Sequence, residues 1–329
     1  MSEKKSRNLH NSSIVISQMN PETCAKPFLK WAGGKTQLLD ELYRRLPHGL
    51  GENGKITRYS EPFIGGGAVF FYLSQRFPFD TCWIGDVNDE LILTYRVIQK
   101  SVKTLINELA ILNSEYFAKN ENDRQKFYYE VRDLFNDELP GFNFQDYDSS
   151  WPGRAAKVIF LNRTCYNGLF RVNRDGEFNV PFGGYKKPEI LNKDNLQRVA
   201  TVLKNTEIMR GDFTLCRDCI DNHTFVYLDP PYRPLSPTSS FTSYSKQGFS
   251  EMDQQRLAVL FRELDEKGAK IMLSNSDPLN ENTHDSFFDD LFAGYTIVRV
   301  PARRIINCNG TRRGYIDELI ITNYCAATR

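Results

Sequence analysis

The sequence predicts an α/β fold: a mostly parallel sheet built by alternating strand and helix, interrupted by one mainly helical segment. Three observations carry this expectation. Short apolar runs at 56–63, 82–86, 224–228 and 270–274 alternate with stretches of helical periodicity, as expected of parallel strands covered on both faces. Gly65, Gly66 and Gly67 join the first of these strands to a helix, the arrangement of a β–loop–α unit. From 88 to about 140 the pattern is helical, so this part must leave the sheet before the strands resume.

In chain order, residues 1–20 are polar and basic without sustained periodicity and read as a flexible N-terminal arm. Ordered structure is expected from Pro27. After the loop WAGGK, Leu38, Leu39, Leu42 and Leu46 set a helix over 36–46. The strand over 56–63 enters the glycine loop, a helix follows over 68–75, and the next strand ends at Asp86. In the helical part, Leu91, Tyr95, Ile98, Leu105, Leu109 and Leu112 fall at helical spacing, and a further helix is expected over 154–162. The stretch 163–188 is rich in Asn, Gly and aromatic residues and has turn chemistry throughout. Sheet character returns at 207–213, then strand 224–228, helix 251–266, strand 270–274, a helix near 286–292, and strands 296–301 and 317–323. The last two strands, joined by a loop, imply an antiparallel addition at the end of the sheet.

A chain of 329 residues with 40% hydrophobic content can bury a large core with an insertion. Its 42 basic and 41 acidic side chains leave a net charge of +1, so any affinity for a polyanion must come from local clusters. Seven cysteines scattered from Cys24 to Cys325 do not form a secreted disulfide framework and suit a reducing, cytoplasmic setting. No run approaches the roughly 20 apolar residues that span a bilayer. Cys216 and Cys219 form one C-x-x-C without a second pair or nearby histidines, and no metal is expected.

Two motifs carry chemistry. In EPFIGGGAVF the glycines allow close approach of backbone to ligand, and Asp86 at the end of the next strand has the spacing of an acid on ribose hydroxyls. Phe70 breaks the dinucleotide pattern, and the acid Glu61 precedes the glycines, so a cationic nucleoside cofactor such as S-adenosyl-L-methionine fits better than a pyrophosphate. In FVYLDPPY the prolines end an apolar strand and leave Asp229, the Pro230 carbonyl and Tyr232 at its carboxyl end. Asp229 and that carbonyl can accept both hydrogens of an exocyclic amine while Tyr232 stacks on the base, which must be flipped out of a duplex to arrive there.

The ordered blocks FLKWAGGK, EPFIGGGAVFF, GDVNDELI, FLNRTCYNGLFRVNRDGEFNVPFGGYKKP, VYLDPPYRPLSPTSSFTSY and NGTRRGYIDELI span about 27–324. Together they closely resemble the Dam-like, alpha-class DNA adenine-N6 methyltransferases. The resemblance implies a Rossmann-like S-adenosylmethionine-dependent sheet at 21–87 and 201–329, with a mainly helical target-recognition domain inserted at 88–200. It assigns Asp229, Pro230 and Tyr232 to catalysis and Trp31, Lys35, Glu61, Phe63, Gly65, Asp86, Phe213 and Asp229 to the cofactor. Tyr166 and Asn167 match residues that enter the duplex beside the flipped adenine, and Lys30, Leu169, Arg171 and Pro181 match those that read base edges, which makes GATC the expected site. Tyr185, Lys186, Arg303 and Arg312 are expected at DNA phosphates, within basic runs that include Arg299, Arg304 and Arg313. Some family members have arginine where this chain has Gly184, so a phosphate contact is missing here or supplied elsewhere.

The implied partner is double-stranded DNA, with or without a cognate restriction endonuclease acting on the same site, for a monomer or weak dimer encoded by a bacterium, archaeon or phage. Two other readings stay open. One is methylation of N4 of cytosine or of an RNA base by the same fold. The other is a DNA-binding relative without catalysis, against which Lys35, Asp86, Asp229 and Tyr232 speak.

Overall fold

The computed structural model describes residues 23–31, 33–52, 55–233, 249–303 and 315–326; the expected N-terminal arm lies outside them. Seven strands form one sheet: β1 (Arg58–Glu61), β2 (Thr81–Asp86), β3 (Thr206–Arg210), β4 (Thr224–Leu228), β5 (Lys270–Ser276), β6 (Thr296–Arg303) and β7 (Tyr315–Thr322). Their order is β3-β2-β1-β4-β5-β7-β6. The first five are parallel, and β7 is antiparallel to both β5 and β6. This is the expected Rossmann-like α/β architecture with its antiparallel end. The order reverses between β1 and β4, so the connections leaving their carboxyl ends diverge and open a crevice there.

Around the sheet run α1 (Leu39–Arg44), α2 (Ala68–Ser74), α3 (Asp89–Ala118), α4 (Glu121–Asp137), α5 (Trp151–Thr164), α6 (Lys193–Val202), α7 (Glu251–Glu266) and α8 (Phe287–Leu291). All five residues of β4 are buried, which explains its unbroken apolar run. Because side chains alternate along a strand, Val226 and Leu228 pack with Leu257 and Phe261 of α7, whereas Phe225 and Tyr227 join the opposite core. That second core continues without a break into the helical part through Leu105, Leu109, Trp151 and Phe160. The fully buried Arg154 on α5 locks α5 to α3, its Nη2 2.5 Å from Glu90 Oε1, while Nη1 donates to the Phe135 carbonyl at 3.1 Å.

Several elements differ from the sequence reading. The section 88–140 is not one continuous helix: α3 is kinked at Ser101 (φ −147°, ψ 43°), and Asn120 leaves the helical backbone and accepts the Asp123 N–H as the cap of α4. The first strand is shorter than expected and stops at Glu61, since Pro62 cannot extend the ladder. The expected helix at 36–46 is a 3-10 turn at Lys35–Gln37 followed by the short α1. Helix α6 was not anticipated, although Asn192 caps it and Leu196 and Val199 bury its inner face.

Candidate active site

Three acids end adjacent parallel strands and so share one edge of the sheet. Glu61 is the last residue of β1, Asp86 the last of β2, and Asp229 follows β4. The glycine loop after β1 is shaped by two rings. Gly65 has φ 46°, and a Cβ there would lie 2.9 Å from Trp31 Cδ1; at Gly67, φ 74°, it would lie 2.5 Å from the Tyr95 hydroxyl. Only glycine lets the backbone pass so close. The Gly65 N–H donates to Asp86 Oδ2 (3.1 Å), the Asn88 N–H donates to Asp86 Oδ1 (2.9 Å), and the Tyr95 hydroxyl donates to the Gly65 carbonyl (3.1 Å). Burial pushes the Asp86 carboxyl up to about 6, against the pull of those backbone donors. Phe63 stacks on Phe213 at 5.2 Å, with Phe249 5.8 Å from Phe63 and the Arg256 guanidinium 5.0 Å from the Phe213 ring.

Lys35 is buried, only 4% exposed, and is not a surface charge. Its Nζ lies 2.7 Å from Asp229 Oδ1, donates to the Gly33 carbonyl at 2.9 Å, and stands 4.7 Å from the centroid of Tyr232. Ser274 Oγ donates to the same Asp229 oxygen (3.1 Å) and is itself bonded to the Tyr227 hydroxyl (2.8 Å). Asp229 Oδ2 and the Pro230 carbonyl have no protein donor among the described residues. The Tyr232 hydroxyl donates to Glu318 Oε2 (2.7 Å), and Gln254 Nε2 donates to the Pro231 carbonyl (3.2 Å). Burial raises the Asp229 and Glu318 carboxyls above the usual range despite Lys35, and holds Glu61, which accepts from the Tyr59 hydroxyl at 2.6 Å, well above it. One buried lysine thus faces three acids, an electrostatic setting that favours a positively charged ligand.

Trp31 links this edge to the stretch 163–188, because its indole also stacks on Phe170 at 5.7 Å. Asn162, 1% exposed on α5, accepts the Lys30 N–H (2.8 Å) and donates to the carbonyls of Lys30 (2.9 Å) and Gly168 (2.9 Å). Lys30 Nζ lies 4.7 Å from the Tyr185 ring, whose hydroxyl accepts the Asn167 N–H at 3.0 Å. Lys30, Asn167 and Tyr185 are therefore in one cluster, and the adjoining Tyr166 is 54% exposed. The stretch folds back on itself through Tyr166 N–H to the Pro181 carbonyl (2.8 Å) and Asn179 N–H to the Arg171 carbonyl (3.1 Å). Arg171 donates through Nε to Asn179 Oδ1 (2.8 Å) and through Nη2 to its carbonyl (3.2 Å), which holds the guanidinium in place. Leu169 is half-buried; Pro181 and Lys186 are exposed.

The family model described as D12 class N6 adenine-specific DNA methyltransferase matches residues 31–306. The chain belongs to this family. Among curated relatives it is 50% identical to the Type II methyltransferase M.MjaIII of Methanocaldococcus jannaschii, over 91% of this chain and 99% of that one. It is 38% identical to the Type II methyltransferase M1.LlaDCHI of Lactococcus lactis subsp. cremoris, over 91% and 95%, and 34% identical to the DNA adenine methylase of Escherichia coli K12, over 90% and 94%.

Within this D12-class methyltransferase, sequence reasoning missed the residues that hold the named ones in place. Ser274 lies outside the quoted blocks, and Asn162, Asn179 and Glu318 lie inside them without an assigned role; their partners lie far along the chain or across a loop. Arg299, expected in the basic run, instead pairs with Asp277 and Asp289 at 2.7 Å each, acids brought in by tertiary folding. Arg312, Arg304 and Arg313 lie outside the described residues, as does the side chain of Arg303 at the end of β6. Burial pushes the Cys216 thiol up to about 12, leaving it a packing residue. Among the described residues no helix is long and apolar enough to cross a membrane, and no group of three His, Cys, Asp or Glu residues is arranged to hold a metal ion.

Proposed function

We propose that this methyltransferase transfers the methyl group of S-adenosyl-L-methionine to N6 of adenine within GATC in double-stranded DNA, with the target base flipped out of the helix. The observation that carries the reading is half-engaged Asp229. One carboxylate oxygen is tied to Lys35 and Ser274, while the other and the Pro230 carbonyl have no donor among the described residues and can each accept one more. An exocyclic amine brings two N–H groups, and its lone pair is delocalised into the ring. Accepting both hydrogens favours the tetrahedral nitrogen that can attack.

The residues also fit the cofactor. The glycine cradle closes so tightly on Trp31 that a Cβ would fill it, and Asp86 stands at the next strand end. Asp86 would take the ribose hydroxyls, Phe63 and Phe213 the adenine, and Glu61, Lys35 and Asp229 the amino-acid end, with Trp31 closing the wall. Bound there, S-adenosyl-L-methionine supplies a methyl group already activated on a sulfonium. Asp229 and Pro230 then orient the target amine, Tyr232 stacks on its ring, and the surplus of acids stabilises positive charge developing on nitrogen.

Residues 88–200 act as the recognition domain in this reading. Tyr166 and Asn167 enter the duplex beside the displaced base; Lys30, Leu169, Arg171 and Pro181 read base edges; Tyr185, Lys186, Arg303 and Arg312 hold phosphates. The type II names of two relatives support a restriction endonuclease of the same site as a partner. The test is methylation of plasmid DNA followed by digestion with enzymes of differing sensitivity to adenine methylation. Protection at GATC is expected. Unchanged GATC cleavage beside another protected site would replace the target, and N4-methylcytosine in the product nucleosides would replace the chemistry.

A further inference from the structure

We propose that Glu318 is a positioning residue for methyl transfer, fixing the ring of Tyr232 so that one face meets Lys35 and the other is presented to the target base. The inference rests on the stacking role given to Tyr232 above. Tyr232 follows two prolines, and the side-chain hydrogen bond found for it is the one to Glu318 Oε2 at 2.7 Å. Lys35 Nζ, 4.7 Å from the ring centroid, occupies one face. A stacked base must then use the other face, and the tilt of the ring sets whether N6 falls between Asp229 and the Pro230 carbonyl.

Glu318 is well placed to set that tilt. It lies in β7, its backbone in register with Ser276 of β5 and Val300 of β6, so it has strands on both sides. The neighbouring Asp317 is pinned as well: its N–H donates to Asn280 Oδ1 at 2.9 Å, and its carbonyl accepts from Asn280 Nδ2 at 2.7 Å and from the Asp277 N–H at 3.2 Å. A rigid antiparallel strand thereby buttresses a corner whose own prolines supply no N–H.

The experiment is a double-mutant cycle with E318Q, E318A and Y232F, reading kcat, KM for duplex DNA and calorimetric affinity for S-adenosyl-L-methionine. A hydrogen bond to a charged acceptor predicts a fall in kcat of about tenfold or more for E318A and Y232F. The double variant should be no worse than the poorer single one, because both remove the same contact. E318Q keeps an acceptor and should retain more activity than E318A, with cofactor affinity within about twofold of wild type throughout. Losses that multiply in the double variant, or an E318A cofactor affinity that falls as far as kcat, would overturn the inference. If E318A does not fold, E318M, which fills similar volume without a carboxylate acceptor, and Y232F complete the same cycle. Full activity in Y232A would sink the stacking role itself, an outcome separate from the cycle.

Discussion

The strand-end acids and the stretch 163–188, proposed above to serve catalysis and recognition, are held in place by different means. At the edge, Glu61, Asp86 and Asp229 are placed by parallel strands that stop at Pro62, before the Asn88 cap of α3 and at Pro230, so backbone ladders fix their positions. In 163–188 the structure gives only two isolated bridges, Cys165 with Phe182 and Val172 with Phe178. Besides scattered backbone bonds, the backbone there is held by side chains: Asn162 on Lys30 and Gly168, Asn136 on both backbone groups of Phe178, and the Tyr128 hydroxyl on the Val180 carbonyl. A ladder shares its load over many bonds. A buried amide concentrates it in one residue, so single substitutions should separate the two regions cleanly.

The largest expected effect is at the edge. Asp229→Ala should reduce methyl transfer by at least on the order of a thousandfold, since it removes the acceptor facing the amine. The fold should persist, because the ladders remain and Lys35 keeps Glu61 and Glu318 in its field. Labelled-methyl incorporation and thermal unfolding measure the two effects; near-normal transfer would show that the edge does not carry the chemistry.

Asn162→Ala tests the other region. It leaves the Lys30 and Gly168 backbone groups unpaired, which should cost about 1–3 kcal/mol of stability by denaturant titration. Discrimination between the target and a site altered by one base should fall further than kcat on the target itself. Equal losses on both sites would mean that the recognition stretch does not depend on this anchor.

The smallest effect is a pH dependence. Burial raises the Asp86 carboxyl from 3.8 to about 6, so the folded state binds this proton more tightly than the unfolded chain does. Its contribution to stability is therefore full below the unfolded value and is lost as pH rises through about 6. The ionised form is the better acceptor for ribose hydroxyls, so cofactor affinity should strengthen over the same rise, by at most about tenfold per pH unit. Calorimetric titrations of wild type and Asp86→Asn provide the check; the same slope in both would assign it to another group.

Much of the fold was legible in local sequence. The bounds of β4 and α7 follow directly from an apolar run stopped by Asp229-Pro230 and from the Ser250 and Asp253 side chains, which form a capping box. The polar segment of α6 was harder to read, since only one face of that short helix is apolar. Arg299 shows the limit for charge patterns: it looks like part of a purely basic run along the chain, yet it is paired with Asp277 and Asp289 once the fold brings them close.

The sequence by itself determined the order of elements, the acids at the strand ends and the glycine loop between them, because proline, glycine and hydrophobic period act within a few residues. Only the tertiary structure decided that Lys35 is buried against Asp229, that Glu318 steadies Tyr232 from 86 residues away, and that Asn162 grips Lys30 across 132. Such contacts depend on how strands are ordered in the sheet and how helices pack on it, and no local rule of backbone or side-chain preference encodes which distant residue will arrive.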